Sequence, residues 1–413
     1  MPGSAGEPAN RAGSSAPATP EAGRAATAAA SGSATPPIAG ASGSAGLSPR
    51  EPADDDAGAG MPTPTPDGLV IDQTLSQLRP EILDFFWNHL DAEHFEQWSP
   101  PAHETFSWMR APMVPGDLGA EVGASFQSTE LVADTRRELT VTYVDRAVVA
   151  GQITLEYAMV ADVVVDGATP VRWIVQYEPA GEDLHVVQSL ALPASETPEP
   201  WREHFAGRMT NLTDFLPAWF QTQYVEGELT ARGQRTITTV GEGLTAEYEL
   251  VIEQPIGKLT PEMMDWWWDN IKDTARYQRW HPTAHQKFTW TTAPKNNADL
   301  AYDVGAVQQI VEVIGEPTTL NITWLEPSGA PMPLTYDHFV YGSTLLDATP
   351  FGGFLLHEYT AQPQGSGIVM KSTFRIPALA GMPFAEALAA HCVQEMQFLQ
   401  YFVPGLFAAE YKP

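Results

Sequence analysis

Cysteine is almost missing from this chain: Cys392 is the single example in 413 residues. An intramolecular disulfide is therefore impossible, and so is a zinc site built on several thiolates. This usage fits a reducing, cytoplasmic setting. Basic residues are scarce as well, 22 Lys and Arg against 51 Asp and Glu, for a formal net charge of −29. Nucleic acids and anionic membrane surfaces both demand basic surface, so neither is expected as a partner. No apolar run reaches the ~18 residues that suggest a membrane span. Aromatic residues are absent before Phe85, although the chain carries 17 Phe, 12 Tyr and 12 Trp. Residues 1–68 are dominated by Ala, Gly, Ser, Pro and Thr, with one acidic run at Asp54, Asp55 and Asp56. Such a segment buries too little apolar surface to offset its ordering entropy, so a disordered low-complexity tail is expected. It also lacks the basic start and apolar core of a signal peptide.

What the remaining sequence does have is self-similarity. Leu69-Val-Ile-Asp-Gln73 matches Leu250-Val-Ile-Glu-Gln254, and Asp84-Phe-Phe-Trp87 matches Asp265-Trp-Trp-Trp268. Trp98-Ser-Pro-Pro-Ala-His103 then matches Trp280-His-Pro-Thr-Ala-His285. In the same order Glu130 falls on Glu312, Ala168-Thr-Pro170 on Ala348-Thr-Pro350, His204 on His391 and Phe215-Leu-Pro217 on Phe402-Val-Pro404. A period of roughly 180 residues is too long for a solenoid unit, so each copy is expected to be a domain. The expected division is 69–226, a connector 227–249 with a strand around Thr236 to Val240, and 250–413.

Each copy has one layout. In the second, Pro261 to about Arg276 reads as an amphipathic helix whose proline and Glu262 suit a helix start. Runs rich in Val, Ile, Thr and aromatics follow at Phe288–Thr292, Ala306–Ile314, Thr319–Leu325, His338–Leu345, Phe354–Tyr359 and Ile368–Ile376, separated by turn residues. From Pro383 to about Phe402, Leu388, Val393, Met396, Leu399 and Phe402 recur at helical spacing. The fold class expected is α+β, with a curved antiparallel sheet gripping a long C-terminal helix in each tandem domain. A cavity between sheet and helix is a natural ligand site, with Phe351 and Phe354 expected on its apolar rim.

Candidate metal ligands lie in distant stretches of the second copy. His391 and Glu395 are four residues apart and share a helical face. His281 and His285 flank a proline-led turn. Glu312 interrupts the apolar run Ile310-Val-Glu-Val-Ile314, and a buried carboxylate there needs a cation or hydrogen-bond donors. Two His and two Glu make a mixed nitrogen and oxygen site compatible with zinc, and also with iron or manganese. Cys392 and the run Trp266, Trp267 and Trp268 are expected mainly to pack the core.

Together Tyr277-Gln-Arg-Trp280-His-Pro-Thr-Ala-His285, Ile310-Val-Glu-Val-Ile-Gly315 and His391-Cys-Val-Gln-Glu-Met396 resemble the diacetylphloroglucinol hydrolase and phloretin hydrolase family. The resemblance implies a Bet v 1-like (START-like) domain with one Zn2+ held by His285, Glu312, His391 and Glu395. It implies a pocket tyrosine, Tyr277, and a pocket histidine, His357. It implies hydrolysis of a carbon–carbon bond between an acyl group and a phenolic or polyketide-derived ring, with Tyr277, His357 and Glu395 as catalytic residues. Either Glu395 or Glu312 can serve as base on this reading. The family can carry a tyrosine where this chain has Phe374, in Lys371-Ser-Thr-Phe374, so the ring substrate here is expected to differ. His281 is expected to support the turn or a ligand rather than to bind metal. Two other functions fit the same sequence: a different polyketide-tailoring reaction on a diketone, and a non-catalytic START-like carrier of an apolar ligand.

The first copy has His103, Glu130 and His204 at the ligand positions, but Arg208 in place of Glu395. Arginine stays protonated and cannot ligate a metal. The first copy is therefore expected to be metal-free, with Arg208 paired to Glu130. Phe95 stands for Tyr277, Ser99 for His281, and Gln176 or Tyr177 is expected near the position of His357.

Overall fold

The computed structural model describes residues 68–412 apart from 115, 182, 194, 347–351 and 364–366. The expected tail, the Ala348–Pro350 match and Phe351 lie outside the described residues.

The first half runs Leu69–Leu75 (β1), Pro80–His89 (α1), Ala92–Trp98 (α2), His103–Arg110 (β2), Ser125–Val132 (β3), Thr135–Tyr143 (β4), Tyr157–Val165 (β5), Val171–Ala180 (β6), Asp183–Leu190 (β7) and Pro198–Trp219 (α3). The second runs Gln234–Val240 (β8), Glu247–Gly257 (β9), Pro261–Asp269 (α4), Thr274–Trp280 (α5), His285–Thr292 (β10), Val307–Ile314 (β11), Glu316–Trp324 (β12), His338–Leu346 (β13), Gly352–Ala361 (β14), Gly367–Pro377 (β15) and Met382–Glu410 (α6). The fold is a mixture of α and β with two large antiparallel sheets. Their orders are β1-β7-β6-β5-β4-β3-β2 and β10-β11-β12-β13-β14-β15-β9-β8. Read from β9 to β10, the second order repeats the first strand for strand, with β8 added at the edge. Residues 227–249 are thus not a bare linker. α3 runs on into the π-wound turn Phe220–Leu229, β8 pairs with β9, and β9 itself begins at Glu247.

The single helix expected from Pro261 to Arg276 is two. Thr260 caps α4 by accepting from the Met263 N–H, and α4 ends at Asn270. Lys272 then adopts a left-handed backbone (φ 56°), and Asp273 caps α5 by accepting from the Arg276 N–H. This cap outcompetes helix continuation because an aspartate side chain satisfies an otherwise unpaired N–H. α6 starts after Gly381, whose φ of 86° suits a residue without Cβ. It extends past Phe402 to Glu410 with Pro404 inside it.

Every residue of α6 from His391 to Gln400 is buried. An amphipathic stripe accounts for one face, where Val393, Met396 and Leu399 pack on the second sheet's core. The other face meets the first half. Phe398 joins the first half's apolar core beside Phe220 and Tyr224. Tyr401 Oη lies 2.6 Å from Tyr224 Oη and donates to the Gly116 carbonyl. Gln394 Nε2 donates to Thr230 Oγ1 at 2.8 Å. Arg279 reaches Glu156 at 3.0 Å with its guanidinium over Phe402 and Tyr157. Both halves belong to one compact unit. Among the described residues, no helix is long and apolar enough to cross a membrane.

Candidate metal centre

Strand pairing sets up the site. His285, the first residue of β10, sits directly across the ladder from Glu312 on β11. On β11 the side chains at 308, 310, 312 and 314 share the inward face, which buries Glu312 among Ile310 and Ile314. α6 brings His391 and Glu395, one turn apart, against this face. One ligand atom from each of His285, Glu312, His391 and Glu395 lies within 4.8 Å of the others, and all four residues are buried. His285 Nε2 is 3.4 Å from a carboxylate oxygen of both Glu312 and Glu395. His391 Nε2 is 3.4 Å from Glu312 and 3.8 Å from Glu395.

The imidazoles are oriented. His285 Nδ1–H donates to the Tyr277 carbonyl at 2.9 Å, which leaves Nε2 as the lone-pair nitrogen facing the carboxylates. The Tyr277 ring stacks on His285 at 3.8 Å, and its hydroxyl donates to Glu312 at 2.6 Å. His285 Nε2 and His391 Nε2 are both buried without a hydrogen-bond partner. Buried nitrogens aimed at two carboxylates, with no hydrogen bond formed, are the donor set a divalent cation takes up.

Electrostatics agree with that donor set. Burial, then the neighbouring His391 and His281, hold His285 well below the ordinary imidazole range. Burial would lower His391 too, but Glu312 and Glu395 outweigh it and raise it. Burial pushes Glu395 up to about 8, with His391 opposing and Glu312 adding to the rise. Two carboxylates this close and this dry repel one another, and either a held proton or a cation between them relieves the repulsion.

His281 is not among these ligands. Its Nδ1 accepts from the Ala284 N–H, and Nε2–H donates to Gln394 Oε1 at 3.1 Å. Its ring stacks on His391 at 5.0 Å, within 6° of parallel. It therefore closes the turn and braces a neighbouring imidazole.

A cavity of about 60 Å³ opens from the cluster between the sheet and α6. Tyr277, Glu312, His391 and Glu395 form its polar end, and Trp268, Trp280, Trp324, Leu355 and Phe374 line much of the rest. His357 projects into it from β14, stacked on Trp268 at 5.4 Å, with Nδ1 2.8 Å from Ser372 Oγ. Burial drives His357 down to about 3, so its imidazole is neutral at ordinary pH. Phe374 stands edge-on to it at 5.5 Å. The expectation for Phe354 is overturned. Leu355 and His357 face the cavity, so Phe354 points out of the opposite side of β14, against Tyr341 and Arg375.

The first half has the corresponding cluster of His103, Glu130 and His204. His103 lies across the ladder from Glu130, with Nδ1–H donating to the Phe95 carbonyl at 2.7 Å. His204 Nε2 is 2.6 Å from Glu130. Where α6 has Glu395, α3 has Arg208, whose Nη1 is 3.4 Å from Glu130 and whose guanidinium lies over Phe205, Trp98 and Trp173. Burial alone would raise Glu130, but His103, His204 and Arg208 together hold it well below the usual carboxylate range. Register corrects one assignment. Val175, not Gln176 or Tyr177, occupies the position of His357, because Trp173 pairs with Leu190 as Leu355 pairs with Phe374. A slip of one residue changes the face. Gln176 instead accepts from the backbone of Thr154 and Leu155, and Tyr177 bonds Asp84 as Tyr359 bonds Asp265.

Residues that the motifs did not bring forward include Gln308, Ser372 and Gln394. Each is a buried polar residue whose surroundings arise from strand register or helix face. Gln308 had a readable signal, since strand alternation puts it on the face of Glu312.

Residues 251–338 match the family model described as the DAPG hydrolase PhiG domain. A comparison with curated proteins finds no match. Among solved structures, the chain is similar to the ginseng major latex-like protein 151 from Panax ginseng at 11% identity, covering 36% of this chain and 95% of that one with a TM-score of 0.27. It is also similar to DynU16, a putative protein in the dynemicin biosynthetic locus, at 10% identity, covering 82% of this chain and 99% of that one with a TM-score of 0.25. A third is BexL, a di-domain ARO/CYC from the BE-7585A biosynthetic pathway, at 11% identity, covering 84% and 99% with a TM-score of 0.24.

Proposed function

We propose that the second half is a metal-dependent hydrolase that breaks the carbon–carbon bond between an acyl group and a phenolic or polyketide-derived ring. The observation that carries this reading is the convergence of two unpartnered imidazole nitrogens and two carboxylates, with the Tyr277 hydroxyl, at one end of a buried cavity. The match of residues 251–338 to the DAPG hydrolase domain supports it. His285, Glu312, His391 and Glu395 would hold the ion, and zinc suits two imidazoles and two carboxylates. Bound there, it would supply Lewis acidity toward a carbonyl oxygen.

In the overall reaction water adds to the acyl carbon, the carbon–carbon bond breaks toward the ring, and the ring carbon takes a proton. A carboxylic acid and a free ring result. Glu395, as an ionised carboxylate at the cluster, takes a proton from the attacking water at a carboxylate oxygen. Tyr277 Oη, whose proton is donated to Glu312 at 2.6 Å, would turn that proton to the ring carbon once a substrate is seated beside it, and Glu395 would hand back the one taken from water. His357, neutral and held by Ser372 and Trp268, meets a ring hydroxyl from the side wall. The apolar walls exclude bulk water from the cleavage.

The two halves are read as tandem helix-grip copies of Bet v 1-like (START-like) type, the first metal-free with Arg208 as its internal cation. The matching strand orders and the Glu130–Arg208 pair support this.

The test is metal content of purified protein beside His391→Ala and Glu395→Ala, with a screen of acylphloroglucinols, phloretin-like compounds and linear diketones for released carboxylic acid. Stoichiometric metal in the wild type only, with acid release, is expected. Ligand binding without metal in all three proteins would make it a carrier and end the proposal.

A further inference from the structure

The turn leading into His285 has the same backbone in both halves but is braced differently. His285 N–H donates to the His281 carbonyl at 3.0 Å, and His103 N–H to the Ser99 carbonyl at 2.9 Å. The turn therefore forms without a histidine at its head. In the first half it is tied to its own long helix, where Asn211 Nδ2 donates to the Trp98 carbonyl at 3.1 Å. The counterpart of Asn211 on α6 is Phe398, which packs in the first half's apolar core instead. The second half's turn is tied across the molecule. The Ala284 N–H donates to His281 Nδ1 at 3.3 Å, His281 Nε2–H to Gln394 Oε1 at 3.1 Å, Gln394 Nε2 to Thr230 Oγ1 at 2.8 Å, and the Thr230 hydroxyl to the Val225 carbonyl at 2.8 Å. Every link has one donor and one acceptor, so anchoring the last fixes the Gln394 amide and the His281 tautomer. A second tie runs from the Thr283 hydroxyl to Gln221 Oε1 at 2.6 Å. Gln221, Val225 and Thr230 all lie in the segment that leaves α3. The His281 ring fixed in this way stacks on His391 at 5.0 Å and lies 5.6 Å from His285. The first half cannot form such a chain, because Ser99 stands for His281 and Gly207 for Gln394.

We propose that the first half completes the metal centre, with Gln221 and Thr230 as positioning residues that fix His281 and, through its ring, the approach of His285 and His391 to one divalent cation. This rests on the reading of His285, Glu312, His391 and Glu395 as metal ligands. His285 has the Tyr277 carbonyl to orient it, and the parallel His281 ring does the same for His391. Loss of such an outer support typically costs about 10- to 100-fold in metal affinity. The metal-free copy is then not inert, since its outgoing segment acts on the metal of its neighbour.

The test uses the full chain and zinc. Affinity is measured by competition with a chromogenic chelator, and ligand geometry is read from the visible spectrum of the cobalt-substituted protein. Thr230→Val removes one hydroxyl and Gln221→Leu one acceptor, both at half-buried positions where the variants should fold. Each should weaken zinc by roughly 10-fold and alter the cobalt bands, and Thr230→Ser should bind as wild type does. Thr222→Val is the control, since that hydroxyl reaches only the Ala218 and Trp219 carbonyls of its own helix. It should leave affinity and spectrum unchanged. Unchanged zinc binding in both Thr230→Val and Gln221→Leu, or an equal loss in Thr222→Val, overturns the proposal. A wild type that binds no zinc overturns it together with the metal-dependent hydrolase reading. Acid release from acylated phenols is measured in the same samples. Weakened zinc with no release by any of the proteins keeps the positioning role and removes the hydrolase reading, and release with zinc binding unchanged in both variants does the reverse.

Discussion

His285 and Glu312 face each other across the β10–β11 ladder, with His285 Nε2 3.4 Å from a carboxylate oxygen that also accepts from Tyr277. A backbone pairing thus holds imidazole, carboxylate and phenol together before α6 adds His391 and Glu395. The tyrosine's part is separable from the ligands'. Tyr277→Phe keeps the ring stacked on His285 and deletes one hydroxyl. Metal content should be unchanged while kcat falls by roughly 10²- to 10⁴-fold, as expected when a proton-transfer group is lost. Metal analysis and steady-state kinetics on one preparation check this; full activity would remove Tyr277 from the chemistry.

His391→Ala and Glu395→Ala leave unpaired charge or polarity in a buried cluster, and each removes one of the four ligands. Bound metal should fall from about one per chain to a small fraction of that. The thermal midpoint should then stop responding to added zinc. Retention of stoichiometric metal in both variants would mean that the ion sits elsewhere.

Much of this was legible beforehand, for physical reasons. The strands of the second half announce themselves because β-branched and aromatic runs alternate across a half-buried sheet, so β11 and β15 fall within a residue or so of their expected limits. The break between α4 and α5 was not legible from apolar spacing, which continues through it. It depends on the Asp273 cap and the left-handed Lys272. The four clustered residues were nominated by motif, whereas Gln221 and Thr230 carry no motif at all. Their distinction is a hydrogen bond to the other half, which exists only once the two halves have packed. Phe354 failed for a related reason: its hydrophobicity said nothing about which face of β14 it takes.

His357 gives a pH prediction with a definite sign. Burial lowers its folded-state pKa to about 3, against an unfolded value near 6.5. Between these values the unfolded chain binds a proton that the folded chain does not. Stability contributed by the neutral ring is therefore complete above pH 6.5 and is lost as pH falls toward 3. From pH 6.5 to 4.5 the loss from this residue is about 2 to 3 kcal/mol. Denaturant unfolding of chelated protein at both pH values, beside His357→Gln, isolates the contribution. The variant should lose less stability than wild type over this interval; equal losses would show that His357 accepts a proton in the folded state.

Arg208 offers the sharpest reversal. In the first half its guanidinium shares Glu130 with His103 and His204, in the place where the second half has a carboxylate. Truncation by Arg208→Ala removes the permanent cation beside Glu130, leaving it His103, His204 and Ser128, and empties space against Trp98, Trp173 and Phe205; it should destabilise the protein by about 3 to 5 kcal/mol. Arg208→Glu goes further, since it recreates two imidazoles and two carboxylates on a scaffold of the same strand order. Without metal, the paired carboxylates should make this variant less stable than wild type. With zinc, it should recover, and metal content should rise from about one toward about two per chain. The recovery separates a new site from simple damage, because a merely unfolded variant gains nothing specific from the ion. A wild type that already binds two, or an Arg208→Glu variant that neither binds more nor regains stability, would overturn the reading of Arg208 as the first half's built-in cation.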